Sequence, residues 1–274
     1  MGKKKWIFVI FLAAMLAGGC SSREQFVSVE TVRDEIPPET RHVEEKGSMV
    51  ETETETVMVE NGLIYDIEDT APEGTRPVPE ENETDYAFIE MDSIVQNPEL
   101  PTGCESVALT IVLDYLGFEL EKTTIADEYL VFAEDNFAKG YVGDPHTRDG
   151  AGVFPPGLVD TADNFFVANG SAKRAFDISD TGFERLYDYV AEEIPVIVWN
   201  TMYMEEPAET DTVCEYKDKV YRWFCNEHCV VFCGFNRENG TVYIQDPLEG
   251  LVERDADTFA EYYDMIGQYA MIIH

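Results

Sequence analysis

GCESVALTIVLDYLG, running from Gly103 to Gly117, carries apolar side chains at Val107, Ile111 and the neighbouring Leu109, Val112, Leu113 and Leu116, and closes on a glycine. That spacing predicts a mostly buried helix with Cys104 at its start, directly after Pro101, Thr102 and Gly103. A helix N-terminus sets unpaired N–H groups and positive dipole beside the sulfur. Both favour the thiolate, so a lowered thiol pKa is expected, and the same N–H groups suit an oxyanion formed on a carbonyl under attack.

Downstream the period changes. A second helix is expected over Thr181 to Glu193, where Phe183, Leu186, Tyr187 and Val190 recur at intervals of three and four. The runs Pro195 to Trp199, Cys229 to Cys233 and Thr241 to Gln245 are short, β-branched or aromatic, and bounded by Gly, Pro and Asn, which predicts strands. Asn236 to Gly240 reads as the hairpin loop between the last two, with Gly240 where a positive φ is needed. Helix first and antiparallel sheet afterwards makes an α+β domain, from about Tyr86 to His274, long enough for one sizeable core.

His228 precedes one of those strands and Asp246 ends the next, so hairpin pairing sets them side by side. Of the other histidines, His42 falls in an acidic stretch, His274 is the last residue, and His146 sits in a Gly-Asp-Pro-His turn where Asp144 is a turn residue too. Cysteine, histidine and aspartate in that order, each at an element end, are the nucleophile, base and orienting group of an acyl-transfer site. Singly, each has a plainer reading: a small buried cysteine, a strand-start histidine, a turn aspartate before Pro247. Their joint occurrence favours the site.

The stretches Gln96 to Ser106, Pro195 to Trp199, Glu227 to Val231 and Val242 to Pro247 together resemble the peptidase C39-like family of papain-like cysteine peptidases. Gly150 to Pro155 and the tail Phe259 to Ile273 extend the likeness over nearly all of residues 86–274. The resemblance implies a papain-like fold, with the nucleophile's helix packed on an antiparallel sheet. It implies Cys104 as nucleophile, His228 as general base and then acid, Asp246 as the residue holding His228, and Gln96 as an oxyanion-hole side chain. An amide suits that last role because it donates N–H without adding charge. No cofactor or metal is expected.

At the other end, Lys3 to Lys5, an apolar run from Trp6 to Leu16 and Ala17-Gly-Gly-Cys20 form a secretory signal over residues 1–19. The run is shorter than the roughly 20 residues needed to cross a bilayer. It resembles a bacterial lipoprotein signal, which would make Cys20 the lipid-modified N-terminus, although Leu16 stands four residues before Cys20 where such signals usually have leucine three before; the plainer reading is an ordinary secreted protein cut near Gly19. Residues 20–85 are rich in acid, threonine and proline, with Glu51 to Thr56 alternating, and are expected to be an extended, solvated linker. A net charge of −36, from 19 basic against 55 acidic residues, excludes a nucleic-acid binder, since few cations are available to replace phosphate counterions. It also repels anionic lipid, leaving the acyl anchor as the hold on the membrane.

Cys214, Cys225, Cys229 and Cys233 remain. Two cysteines four residues apart on one strand lie roughly 13 Å from each other, too far to bridge. Cys214 and Cys225 flank a hairpin and are the expected pair if a disulfide forms; a zinc site is the sharper, less favoured alternative. Trp199, Tyr203 and Trp223 are candidate substrate contacts, with core packing the plainer reading. The leading expectation is an extracytoplasmic, membrane-anchored cysteine peptidase or amide hydrolase acting on peptides or proteins outside the cytoplasm. Intracellular leader cleavage does not fit the signal peptide. The alternatives are an inactive surface binding module on the same scaffold and a transglutaminase-like acyltransferase.

Overall fold

The structure, a computed structural model, describes residues 75–274. The signal segment, Cys20 and most of the acidic linker lie outside the described residues.

Residues 103–117 form the expected helix, α1 (Cys104–Tyr115), and every side chain from Cys104 to Leu113 is buried. A helix apolar all round belongs between layers, and α1 lies on one face of a seven-stranded antiparallel sheet. The strands are β1 (Tyr86–Phe88), β4 (Ala175–Asp177), β5 (Val196–Thr201), β8 (Glu227–Asn236), β9 (Thr241–Asp246), β10 (Gly250–Asp255) and β11 (Ala270–Ile273). Their spatial order is β10-β9-β8-β5-β11-β4, with β1 added along β8. Two small sheets stand apart: β2 (Phe132–Ala133) with β3 (Tyr141–Val142), and the hairpin β6 (Glu209–Tyr216) with β7 (Lys219–Phe224). Three further helices complete the domain: α2 (Pro155–Ala168), α3 (Phe183–Ala191) and α4 (Ala256–Ile266).

The central strands are apolar on both faces because both are covered. Ile197, Trp199, Cys229 and Val231 pack beneath α1 and α2. Val196, Val198, Val230 and Phe232 pack beneath α3 and α4. Each such side chain contributes about 1.5 to 3 kcal/mol by leaving water. Trp199 is fully buried and satisfies its indole by donating Nε1–H to Val153 O at 3.1 Å, so it is a core residue and not a substrate contact.

Two expectations change. The hairpin from Cys214 onward is present, but its register sets Cys214 opposite Tyr221, while Cys225 follows the end of β7. The pair is not bridged, because the cross-strand position that a disulfide needs is taken by a tyrosine. The described end of the acidic stretch is also not simply solvated. Asn82 N–H donates to Asp188 at 2.8 Å, Tyr189 OH to Pro77 O at 3.2 Å and Arg76 to Thr181 at 2.9 Å, which lays this segment along α3 and the turn before it. No helix among the described residues is long and apolar enough to cross a membrane.

Candidate active site

The loop before α1 folds on itself: Gly103 N–H donates to Leu100 O at 3.1 Å and Leu100 N–H to Gln96 O at 3.0 Å. Gln96 N–H in turn donates to Pro247 O at 2.7 Å, tying this loop to the residue after Asp246. Thr102 bonds Thr147 O at 2.9 Å and Tyr141 OH donates to Thr102 O at 2.7 Å, so the Asp144 to Gly150 loop rims the start of α1. Cys104 therefore sits at a fixed helix start, 8% exposed. Its backbone N–H, the first of the helix, has no acceptor within the helix.

β8 and β9 carry the next two groups. His228 Nε2 bonds Asp246 Oδ1 at 2.7 Å, with both side chains buried. Asp246 Oδ1 also accepts the Leu248 N–H at 2.7 Å. Burial opposes the Asp246 charge, but the bond to His228 and its charge, the Leu248 N–H and Arg254 outweigh it and hold the carboxyl below its ordinary range. Gln96 is buried, with Nε2 donating to Pro101 O at 3.0 Å and a second N–H still to place, while its Oε1 lacks a hydrogen-bond partner.

The sulfur departs from expectation. The Cys104 thiol donates to Glu105 Oε2 at 3.3 Å, and no hydrogen bond joins it to His228 among the described residues. Burial, then the charges of Glu105 and Glu227, push the thiol well above its ordinary range, against the pull of the Cys229 backbone N–H. The expected lowering by the helix N-terminus is thus overturned at rest: two acids and loss of water outweigh a partial dipole charge. Glu105 is itself raised to about 7 by burial, although the Val153 N–H at 2.8 Å and the Cys104 thiol favour its ionised form.

Glu105 and Glu227 were absent from the sequence-based site. A usable signal was there for Glu105: a helix apolar on every side buries whatever lies in its first turn. His146 pairs with Asp127 at 2.9 Å on the surface, as a turn residue would. Tyr203 is exposed, and Trp223 packs against Phe137 and Phe154. Among the described residues no cluster of His, Cys, Asp and Glu is arranged to hold a metal ion.

The Peptidase_C39 like family matches residues 88–271. The chain is similar to the uncharacterized protein YvpB of Bacillus subtilis (strain 168), 24% identical over 196 residues, which covers 67% of this chain and 75% of that one. It is also similar to the crystal structure of a putative C39-like peptidase from Bacillus anthracis, with a TM-score of 0.59 and 28% identity over 70% of this chain and 98% of that one.

Proposed function

Because the chain belongs to the Peptidase_C39 like family, we propose that it is a cysteine hydrolase that cleaves peptide or isopeptide bonds through a thioester at Cys104. The observation that carries this is the buried 2.7 Å bond from His228 to Asp246, one residue from the Cys229 N–H that acts on the Cys104 sulfur. A carboxylate on Nε2 fixes the ring and leaves Nδ1 to take the thiol proton.

In the attack the Cys104 sulfur bonds to the carbonyl carbon as its proton passes to His228. The carbonyl oxygen takes the charge and is met by Gln96 Nε2 and the Cys104 N–H. Collapse breaks the C–N bond, and the amine leaves with the proton from His228. Water then attacks the thioester with His228 as base, releasing the acid and restoring the thiol.

The same proposal places the domain outside the cytoplasm, held at the membrane through lipid on Cys20. Its support is the sequence of residues 1–20 and the acidic stretch that follows. A non-catalytic binding module is a second reading, and one observation favours it: the resting thiol bonds Glu105 and not His228.

The test is a library of capped peptides and isopeptides incubated with the full chain. Wild type releases amine, C104A does not, and Gln96→Ala slows turnover about 10²- to 10³-fold, the usual cost of one oxyanion donor. Turnover surviving in C104A, or none by wild type across the library, contradicts the hydrolase.

A further inference from the structure

Two glutamates outside the catalytic set meet at Cys104. Glu105 comes from the first turn of α1 and is fully buried; Oε1 accepts the Val153 N–H at 2.8 Å and Oε2 accepts the Cys104 thiol at 3.3 Å. Glu227 comes from the start of β8, is also buried, and its Oε1 has no hydrogen-bond partner. Gly152 and Trp223 close the pocket: a Cβ on Gly152 would collide with Glu105 Oε1 and stand 2.9 Å from the Trp223 ring.

The titratable groups that act on or feel this pair are Cys104, Cys229 from β8 and Tyr141 from β3. The Tyr141 hydroxyl is spent on Thr102. No cation is among the groups acting on either acid. Two carboxyls sharing a water-poor site without a cation do not both ionise. Glu105, with two donors, is the one suited to carry charge, and Glu227, whose Oε1 meets no donor, is suited to keep its proton.

We propose that Glu105 and Glu227 form a proton-holding acid pair that keeps the Cys104 thiol protonated at rest and sets the pH at which it is released. The inference rests on Cys104 as the nucleophile and adds a control on it. Ionised Glu105 gives the thiol an acceptor and a repelling charge. When Glu105 gains a proton at its Oε2, both holds are lost, and the sulfur is free to surrender its own proton to His228. Glu227, by staying neutral, lets Glu105 ionise near neutral pH and not only far above it.

Rates of alkylation by iodoacetamide, followed by mass spectrometry on the peptide containing Cys104 in the full chain, test this across pH 5 to 10. Wild type reacts more slowly at pH 8 than an ordinary thiol, whose pKa is about 8.5. Its profile flattens above pH 7, where Glu105 becomes ionised. E105Q keeps the Val153 bond and offers the sulfur an amide N–H in place of a charge. It is expected to react at least tenfold faster at pH 8, with one smooth rise and its midpoint at least one pH unit lower than wild type. E227Q leaves the wild-type break where it is, because a neutral amide replaces an acid that already keeps its proton.

An E105Q profile that superimposes on wild type overturns the proposal, as does a wild-type thiol titrating at or below 8.5 without a break. The wild-type profile decides even if the variants do not fold. Alkylation reads the sulfur whether or not the chain hydrolyses anything, so its failure is distinct from failure of the hydrolase, which C104A turnover reports.

Discussion

A thiol that donates to a buried carboxylate, as Cys104 does to Glu105, is held in the opposite protonation state from the one the proposed hydrolysis requires. The energetic mark of that arrangement lies on the acids. Glu105 titrates near 7 in the folded chain because of burial, against about 4.3 unfolded, so folding takes up a proton and stability falls as pH rises between those values. Glu105→Gln removes the loss and is expected to be more stable than wild type at pH 8 by about 4 kcal/mol, with no such gain below pH 4, as read by urea denaturation. Asp246 has the other sign. Its lowered value supplies stability that is present above about 3.9 and is lost as pH falls through its folded value. For turnover, His228→Ala is expected to lower kcat by about 10²- to 10⁴-fold on any substrate the library yields, the range for loss of a general base. An unchanged kcat would remove His228 from the mechanism.

At the scale of elements, the structure depends on ends as much as on cores. The Asp255 side chain caps α4 by accepting the Thr258 N–H at 2.9 Å, so Asp255→Ala is expected to cost about 1 kcal/mol in urea denaturation. The elements that sequence reading located share one property: α1, α3, β5, β8 and β9 combine length with a continuous or periodic apolar pattern. β10 escaped it because this strand borders the sheet and its side chains alternate to solvent with only Val252 joining a core. β1, β4 and β11 are three or four residues long, too short for any period to register. α4 had legible punctuation in Asp255 and Gly267 but was submerged in a family likeness for the tail. At the site, Cys104, His228 and Asp246 were legible because chemistry-bearing residues stood at element ends. Glu105 and Glu227 were not, because an acid beside a candidate site residue reads by default as solvated, and only the packing of α1 on β8 removes water from both.

The whole molecule carries −36 charges, which repel anionic headgroups and leave the proposed acyl group on Cys20 as its attachment. Cys20→Ala is therefore expected to move the protein from the membrane pellet to the soluble or secreted fraction; retention in the pellet would contradict the tether. The described body is organised so that α1 meets the sheet where β8 begins, which puts the Cys104 sulfur against the backbone beside His228 while Asp246 holds the imidazole from the next strand. This convergence is what a thioester mechanism requires, and it can be tested on the intermediate itself. Rapid acid quench of the full chain with its best peptide substrate, followed by mass spectrometry, should reveal an acyl group on the peptide containing Cys104 that hydroxylamine removes and that C104A lacks. Amine release by wild type with no acyl group at Cys104, or equal release by C104A, would contradict the mechanism.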